Sequence, residues 1–368
     1  MEDAFRFSDA WGPSRIIHIH RPSLGLKAIL VVDNTACGPA IGGVRMAPDL
    51  STEECFRLAR AMTWKNAAAG LPYGGGKAVI FADPRMPIEQ KEAIIRAFAG
   101  AIRDIVDYVA GPDMGTDEVC MAWIKDETGR AVGLPSAIGG IPLDEIGATG
   151  FGLTASIDVA RQFIGLELNG ARVAVQGFGA VGKHAARFLA EKGAILVASS
   201  DTSGTVADPD GLDVDALIAL KAAGKSLRQH PKGQKLDIDA ILDIPCDIWI
   251  PAARPDVVRA DNVARLRTRL MPQGANIPCT AEAEEALHAR GILVVPDFIA
   301  NAGGVICASI EYRGGTQHAA FDYIDERIRS NTRLVLEQAR KTKRPPRAAA
   351  RELAEQRVKA AMLTRRWR

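Results

Sequence analysis

The chain has little of what would tie it to a metal, a membrane or a polyanion. Its six cysteines, Cys37, Cys55, Cys120, Cys246, Cys279 and Cys307, form no close pair and no Cys-x-x-Cys. A disulfide framework and a zinc ribbon are thereby set aside, and the thiols are read as reduced, small apolar residues. The histidines add no zinc-like spacing. His18 and His20 alternate on the apparent strand RIIHIH and share one face, yet they are expected to be solvated strand residues, and no metal is expected. Net charge is only +2, which gives no argument for nucleic acid or an anionic membrane. No apolar run is long enough to cross a bilayer, and the acidic start MEDAFRFSD lacks the basic and hydrophobic regions of a signal peptide. A cytoplasmic protein is expected. Internal repeats and long low-complexity segments are also missing.

What remains is ordinary globular material in quantity. The 368 residues are 47% hydrophobic and 24% charged, enough for two domains with a core each. The stretch from Trp64 to Phe81, WKNAAAGLPYGGGKAVIF, puts Lys65 and Lys77 on either side of Gly74, Gly75 and Gly76. Consecutive glycines let a ligand approach the main chain closely, so the segment reads as a flexible loop that becomes a strand at Lys77 and AVIFA. A lysine at that boundary is partly desolvated, which moves its pKa toward the range useful for proton transfer. A phosphate-cradling loop or a surface lysine explains the same residues. Lys65 falls in the last turns of a helix with Ser51 as N-cap, Glu54 as its capping-box partner, Glu53 in the first turn and a stop by Gly70. Its plain role is to complement the helix dipole.

Strands are expected at RIIHIH and KAILVVDN, and Gly42 and Gly43 in GPAIGGVRM mark a close backbone approach or a bulge. Helical spacing follows in PIEQKEAIIRAFAGAIRDIV. Another helix begins near Thr116, with Asp117 and Glu118 in its first turn. Asp113 stands before it among Gly111, Pro112 and Gly115, where a scaffold presents functional side chains or where an aspartate bonds its own backbone. GLPSAIGGIPLDEIGATGFG reads as a hinge between domains, followed by the helix TASIDVARQFI.

Next comes ARVAVQGFGAVGKHAARFLAEKGAILVASSD, a strand, a turn with Gly177, Gly179 and Gly182, a helix and a second strand ending in Asp201. That is a dinucleotide-binding fingerprint in its required context: glycines for the turn, for pyrophosphate approach and for helix packing, with the helix N-terminus facing phosphate. Asp201 is expected to accept the adenosine ribose hydroxyls and to disfavour a 2′-phosphate, so NAD is expected over NADP. Alternating elements continue through CDIWIPAA, LMPQGAN and ILVVPDFIAN, which indicates an α/β fold with a doubly wound parallel sheet. The tail from Asp322 is helical and basic, broken at Pro345 and Pro346, and is expected to pack on a neighbouring element or a subunit rather than on a polyanion.

In this order GLPYGGGKAVI, the upstream WKN, GPDMGTDEV, EIGATGFG, QGFGAVG, QGANIP and PDFIANAGGVI resemble the glutamate, leucine, phenylalanine and valine dehydrogenase superfamily, over about Gly38 to Glu311. The resemblance implies an N-terminal α/β substrate domain over residues 1–138, a Rossmann domain over 139–321, and a cleft between them. Helices over 322–368 would pack back on the first domain or on a subunit interface. In that cleft an L-amino acid would be oxidised to a 2-oxo acid and ammonia by a homo-oligomer. It further implies that Lys65 binds the substrate carboxylate, that Lys77 is the catalytic lysine and that Asp113 works with it. Gly42, Gly43 and Asn276 would line the substrate site, and Thr149, Gly177, Phe178, Gly179, Ala180, Val181, Gly182, Asp201 and Asn301 would meet the cofactor. Hydride transfer leaves an iminium, whose hydrolysis needs an activated water and several proton transfers.

The glutamate enzymes carry a lysine where this chain has Ile41 and a serine where it has Ala308. Burying a second carboxylate against both would be costly, so an apolar branched-chain or aromatic amino acid is the expected substrate, with glutamate as the alternative. QGANIP, the SSDTSG turn and Tyr73 depart from the leucine enzymes. A nucleotide-binding regulatory paralogue is disfavoured by the presence of Lys65, Lys77 and Asp113, and a 2-hydroxy acid dehydrogenase would show no ammonia dependence.

Overall fold

The computed structural model describes residues 5–365. The last three residues of the basic tail, and the first four of the chain, lie outside them. The chain divides into two compact units, residues 1–142, 305–320 and 352–368 in the first, and 143–304 and 321–351 in the second.

In the first unit β1 (Arg15–Arg21), β2 (Leu26–Asn34), β3 (Ala40–Ala47), β4 (Gly74–Phe81) and β5 (Tyr108–Pro112) form one sheet in the order β1-β2-β4-β3-β5. β1, β2 and β4 pair antiparallel, whereas β3 runs parallel to both β4 and β5. Helices α1 (Thr52–Ala68) and α2 (Ile88–Ala101) connect β3 to β4 and β4 to β5, and α3 (Glu118–Thr128) follows β5. Alternate residues of β2 and β4, Leu30, Val32, Ala78 and Ile80, enter a core with Phe98, Tyr108 and Met121. Ile29, Val31 and Val79 turn to the opposite face, against Cys55 and Ala59 of α1.

The three glycines are not a loop. Gly74, Gly75 and Gly76 open the central strand β4, and none of them has a positive φ. Their value is closeness: a Cβ on Gly75 would lie 2.1 Å from Thr63 N of α1, and one on Gly76 2.8 Å from the Tyr108 ring. Only a strand without side chains lets α1 and Tyr108 press against it from both faces.

The second unit holds β6 (Arg172–Gln176), β7 (Ile195–Asp201), β8 (Gly204–Ala207), β9 (Gln234–Leu236), β10 (Ile248–Pro251), β11 (Leu270–Pro272) and β12 (Leu293–Val295). Their order is β12-β11-β10-β6-β7-β8-β9; the strands from β12 to β7 are parallel, and β8 and β9 add an antiparallel extension. Its helices are α4 (Ala148–Phe163), α5 (Ala180–Ala190), α6 (Val214–Ala222), α7 (Ala281–Ala289) and α8 (Asp297–Ala300). This is the doubly wound α/β fold expected. The stretch read as a glycine-rich hinge ends early, because α4 begins at Ala148 with Gly150 and Gly152 inside it. Those two glycines allow close packing on His184 of α5 and on Ile328.

Helices α9 (Gly303–Tyr312), α10 (Gln317–Thr342) and α11 (Pro346–Leu363) complete the chain. The tail does not go wholly with the first unit. Residues 321–351 belong to the second, where Arg329 meets Asp158 at 2.8 Å, and Arg347 bonds Glu284, Gln273 and Asp297 at 2.6 to 2.8 Å. From 352 onward the tail joins the first, where Arg357 donates to the Ala67 and Ala68 carbonyls at the end of α1. Among the described residues no helix is long and apolar enough to cross a membrane.

Candidate active site

Lys77 stands on β4, on the α1 side of the sheet, and Asp113 follows β5 directly. Register between β3 and β4 sets Ile41 beside Gly75 and Val44 beside Ala78, which places Gly43 next to Lys77; on its other side Gly43 pairs with Gly111. A Cβ on Gly43 would lie 2.7 Å from Asp113 Cβ and 3.0 Å from its Oδ2. The absent side chain is what lets the Asp113 carboxylate cross β3, where its Oδ2 is in direct contact with Lys77 Nζ.

Asp113 Oδ1 accepts from Met114 N at 2.6 Å and from Arg45 Nη2 at 3.3 Å. Its own N–H donates to Thr116 Oγ1 at 3.0 Å, whose hydroxyl bonds Val44 O at 2.8 Å. Asp113 is therefore a turn aspartate and the partner of a buried lysine at once. Arg45 was not singled out by sequence, although it lies two residues beyond Gly43 and so on the same strand face. It ties Asp113 to Glu54, whose Oε1 it meets at 2.8 Å. Ser51 caps α1 through Glu54 N at 3.1 Å as expected, but the Glu54 carboxylate serves Arg45 instead of closing a capping box.

Lys77 is 5% exposed. Burial pulls its ammonium down to about 7, and Arg45 and Lys65 add like-charge repulsion. The Asp113 carboxylate in contact with Nζ favours the charged amine and so works in the opposite sense. Lys65 lies partly buried in the last turns of α1. Two of the carbonyls ending that helix accept from Arg357.

Ile41 is 4% exposed and Ala308 6%. Ala308 is one turn before Tyr312 on α9, and the Tyr312 ring meets Tyr73 edge-on, with centroids 6.1 Å apart at 77°. Tyr73 immediately precedes Gly74 and is 4% exposed. Gly42 lies against β4, where a Cβ would strike Gly76 O, and its own carbonyl accepts from Tyr108 Oη at 2.8 Å.

In the second unit Gly177 has φ +93 and Gly182 would bring a Cβ to 1.9 Å from Gly177 O, so both are required by the turn. Gly179, at the N-terminus of α5, has nothing within 4 Å of the missing Cβ. That open face borders a cavity of about 550 Å³ lined by Phe178, Gly179, Asp201, Lys221 and Arg254. Ala180 and Val181 form the first turn of α5, and Thr149 the first turn of α4. Asn276 and Asn301, expected on substrate and cofactor respectively, are bonded to each other: Asn301 Nδ2 donates to Asn276 Oδ1 at 3.0 Å. Asn301 Oδ1 is buried without a partner among the described residues, an acceptor suited to an amide such as that of nicotinamide. The open glycine face and this orphan acceptor fit a dinucleotide.

Asp201 lines the same cavity, and its carboxylate is held by donors of the protein itself. Its Oδ1 accepts from Ser203 N at 2.9 Å and Ser203 Oγ at 2.5 Å, and its Oδ2 from Leu227 N at 3.0 Å and Lys221 Nζ at 3.1 Å. Burial opposes ionisation, but these four donors outweigh it and hold the carboxyl at about 2. Both oxygens are engaged in shaping the turn after β7, so the carboxylate has little capacity left for ribose hydroxyls. Sequence spacing identifies a carboxylate here but not which donors the fold supplies to it. His18 and His20 are exposed on the edge strand β1, and no group of metal-ligating side chains occurs among the described residues.

The profile of the Glutamate/Leucine/Phenylalanine/Valine dehydrogenase family matches residues 139–366, and that of the Glu/Leu/Phe/Val dehydrogenase dimerisation domain matches 13–130. A glutamate dehydrogenase of Aeropyrum pernix is 38% identical over 358 residues, 91% of this chain and 85% of that one. An NADP-specific glutamate dehydrogenase of Saccharolobus shibatae is 38% identical over 293 residues, 76% of this chain and 69% of that one. Among solved structures, the hetero-hexameric glutamate dehydrogenase of Thermus thermophilus in a leucine-bound form is 28% identical, with TM-score 0.88 over 97% of this chain and 91% of that one. The L-tryptophan dehydrogenase of Nostoc punctiforme is 26% identical, with TM-score 0.73 over 95% and 96%. The family match and the named relatives thus give an oxidoreductase acting on CH–NH2 with a nicotinamide cofactor. The chain belongs to the Glu/Leu/Phe/Val dehydrogenase family and is an NAD(P)-dependent amino acid dehydrogenase.

Proposed function

We propose that this chain carries out the reversible oxidative deamination of L-glutamate, with Lys77 and Asp113 as the proton-handling pair and Lys65 as the carboxylate anchor. The observation that carries the chemistry is the contact of Lys77 with Asp113 across Gly43. Nicotinamide, when bound, takes hydride from the substrate α-carbon. A neutral Lys77 amine, made accessible by burial, takes a proton from the attacking water and stabilises the carbinolamine oxygen. Asp113 moves protons to and from the amino nitrogen, and its position is fixed by Arg45 and Met114 N. Lys65 stays charged and orients the α-carbon.

The choice of glutamate rests on the named relatives and on QGANIP and the SSDTSG turn. An apolar amino acid, the substrate expected from sequence, is the second reading. Ile41 and Ala308 favour it, because a distal carboxylate placed against them alone lacks a partner, and the Nostoc structure is of a tryptophan enzyme. For the cofactor we propose that NADP is accepted beside NAD. One relative is named NADP-specific, and Asp201 is neutralised by Lys221 instead of presenting a free charge to a 2′-phosphate. The dehydrogenase is proposed to work as an oligomer, in keeping with the Thermus relative. A panel of L-amino acids with NAD and NADP, followed by nicotinamide absorbance, tests all of this. Glutamate turnover with both cofactors is expected; turnover of leucine, phenylalanine or tryptophan without glutamate would overturn the substrate.

A further inference from the structure

A glutamate reading leaves the distal carboxylate without a cation at Ile41. The first unit supplies one from another element. Arg313 follows α9 directly, is exposed, and holds its guanidinium carbon 5.8 Å from the centroid of the Tyr73 ring. Among the described residues it has no carboxylate partner. Tyr73 stands two residues before Gly75, the register partner of Ile41, and Ala308 and Tyr312 share the α9 face that meets Tyr73. Arg313 is therefore linked through Tyr73 and Tyr312 to the strand and the helix that carry Ile41 and Ala308.

Its placement is rigid at the backbone. Glu311, 7% exposed, accepts from Leu134 N at 3.1 Å and from Ile141 N at 3.2 Å, which pins the end of α9. Gly314, with φ +74, donates to Glu311 O at 2.8 Å, and Gly315 N to Ile310 O at 2.9 Å, so the chain turns sharply just past Arg313. An arginine lying on an aromatic ring keeps its planar fork ordered and its donors turned outward, which suits two-point bonding to a carboxylate. A cation–π contact at an exposed site contributes only about 0.5–1 kcal/mol, leaving the guanidinium free to be recruited by a stronger partner.

We propose that Arg313 is a specificity-determining residue that receives the distal carboxylate of an acidic L-amino acid, in place of the lysine that Ile41 displaces. The proposal rests on the dehydrogenase reading above and deepens its substrate assignment.

Steady-state kinetics of Arg313→Gln and Arg313→Lys, with glutamate and with norvaline as an uncharged substrate, provide the test. Arg313→Gln should raise KM for glutamate about tenfold relative to KM for norvaline, as expected when a charged partner is lost from a partly solvated site. Arg313→Lys should recover part of that selectivity. Norvaline turnover in each variant reports a folded enzyme. A glutamate-to-norvaline ratio that Arg313→Gln leaves unchanged, with or without a fall in melting temperature, would mean that Arg313 only packs on Tyr73, and overturns the inference. A wild-type enzyme active on norvaline but not on glutamate also overturns it while leaving the dehydrogenase reading intact; absence of turnover with any amino acid would defeat both.

Discussion

Two glycine-rich stretches look alike in the sequence and do opposite things in the fold. At Gly74–Gly76 the missing side chains are filled by protein: α1 on one face, Tyr108 on the other, Asn34 O beside Gly74. At Gly177–Gly182 the outer two glycines are equally crowded, but Gly179 faces open space beside a cavity. The first stretch brings elements together around Lys77; the second leaves a surface bare beside that cavity. A run of glycines therefore indicates a close approach without saying whether the visitor is another part of the chain.

The largest expected effect lies in the first stretch. Lys77→Ala should lower turnover by a factor on the order of 10² to 10⁴ while cofactor binding by fluorescence titration stays measurable; near wild-type turnover would remove Lys77 from the chemistry. In the intact enzyme kcat/KM should rise with pH through about 7, because the productive form is the neutral amine and burial brings its pKa there. An acidic limb displaced to well above 9 would mean that Asp113 keeps the lysine charged.

Packing comes next. Gly75→Ala would set a Cβ 2.1 Å from Thr63 N, and backbone cannot step aside, so a loss of about 3 kcal/mol or more in denaturant unfolding is expected. Gly179→Ala should leave stability almost unchanged. The contrast collapses if both substitutions destabilise equally.

His184, behind the second stretch on α5, gives a smaller effect with a definite sign. It is 6% exposed, its ring nitrogens are among the buried atoms without partners, and burial, with Arg187 and Lys183 nearby, lowers its pKa from 6.5 to about 4. The folded state resists protonation, so stability is full above 6.5 and is lost as pH falls toward 4. Between pH 7 and pH 5 the loss amounts to about 2 kcal/mol. His184→Leu should remove that increment from the pH dependence. The raised carboxyls of Asp33 and Glu311 act in the opposite sense, so the difference between wild type and variant isolates the histidine. Smallest of all, Gly179→Ala should weaken dinucleotide binding about tenfold by holding the pyrophosphate off the backbone; unchanged affinity would mean that the open face is not where the phosphates lie.

Much of this was readable in advance because it depends on neighbours in the chain. The Ser51 cap, the period of β1 and β2, and the strand–turn–helix at Gly177 follow from spacing alone. Lys77 and Asp113, which the fold brings into contact, were singled out with Lys65 through the ordered motifs around them. Arg45 escaped, since an arginine on a strand face has no local signature. The donors that hold Asp201 escaped as well, because Lys221 and Leu227 lie 20 and 26 residues further on. Glu54 was paired with its own helix start when Arg45, across on β3, was the stronger partner.

By itself the sequence determined the fold class, the family and the residue types of the pair, since those reside in local periodicity and in motif order. Tertiary structure alone decided that Gly43 vacates the space in which Asp113 reaches Lys77, that Arg357 meets the carbonyls ending α1, and that Tyr73 gathers Tyr312 and Arg313. Each depends on residues distant in sequence arriving within a few ångströms, where removing one Cβ or burying one ammonium changes what the neighbouring group can do.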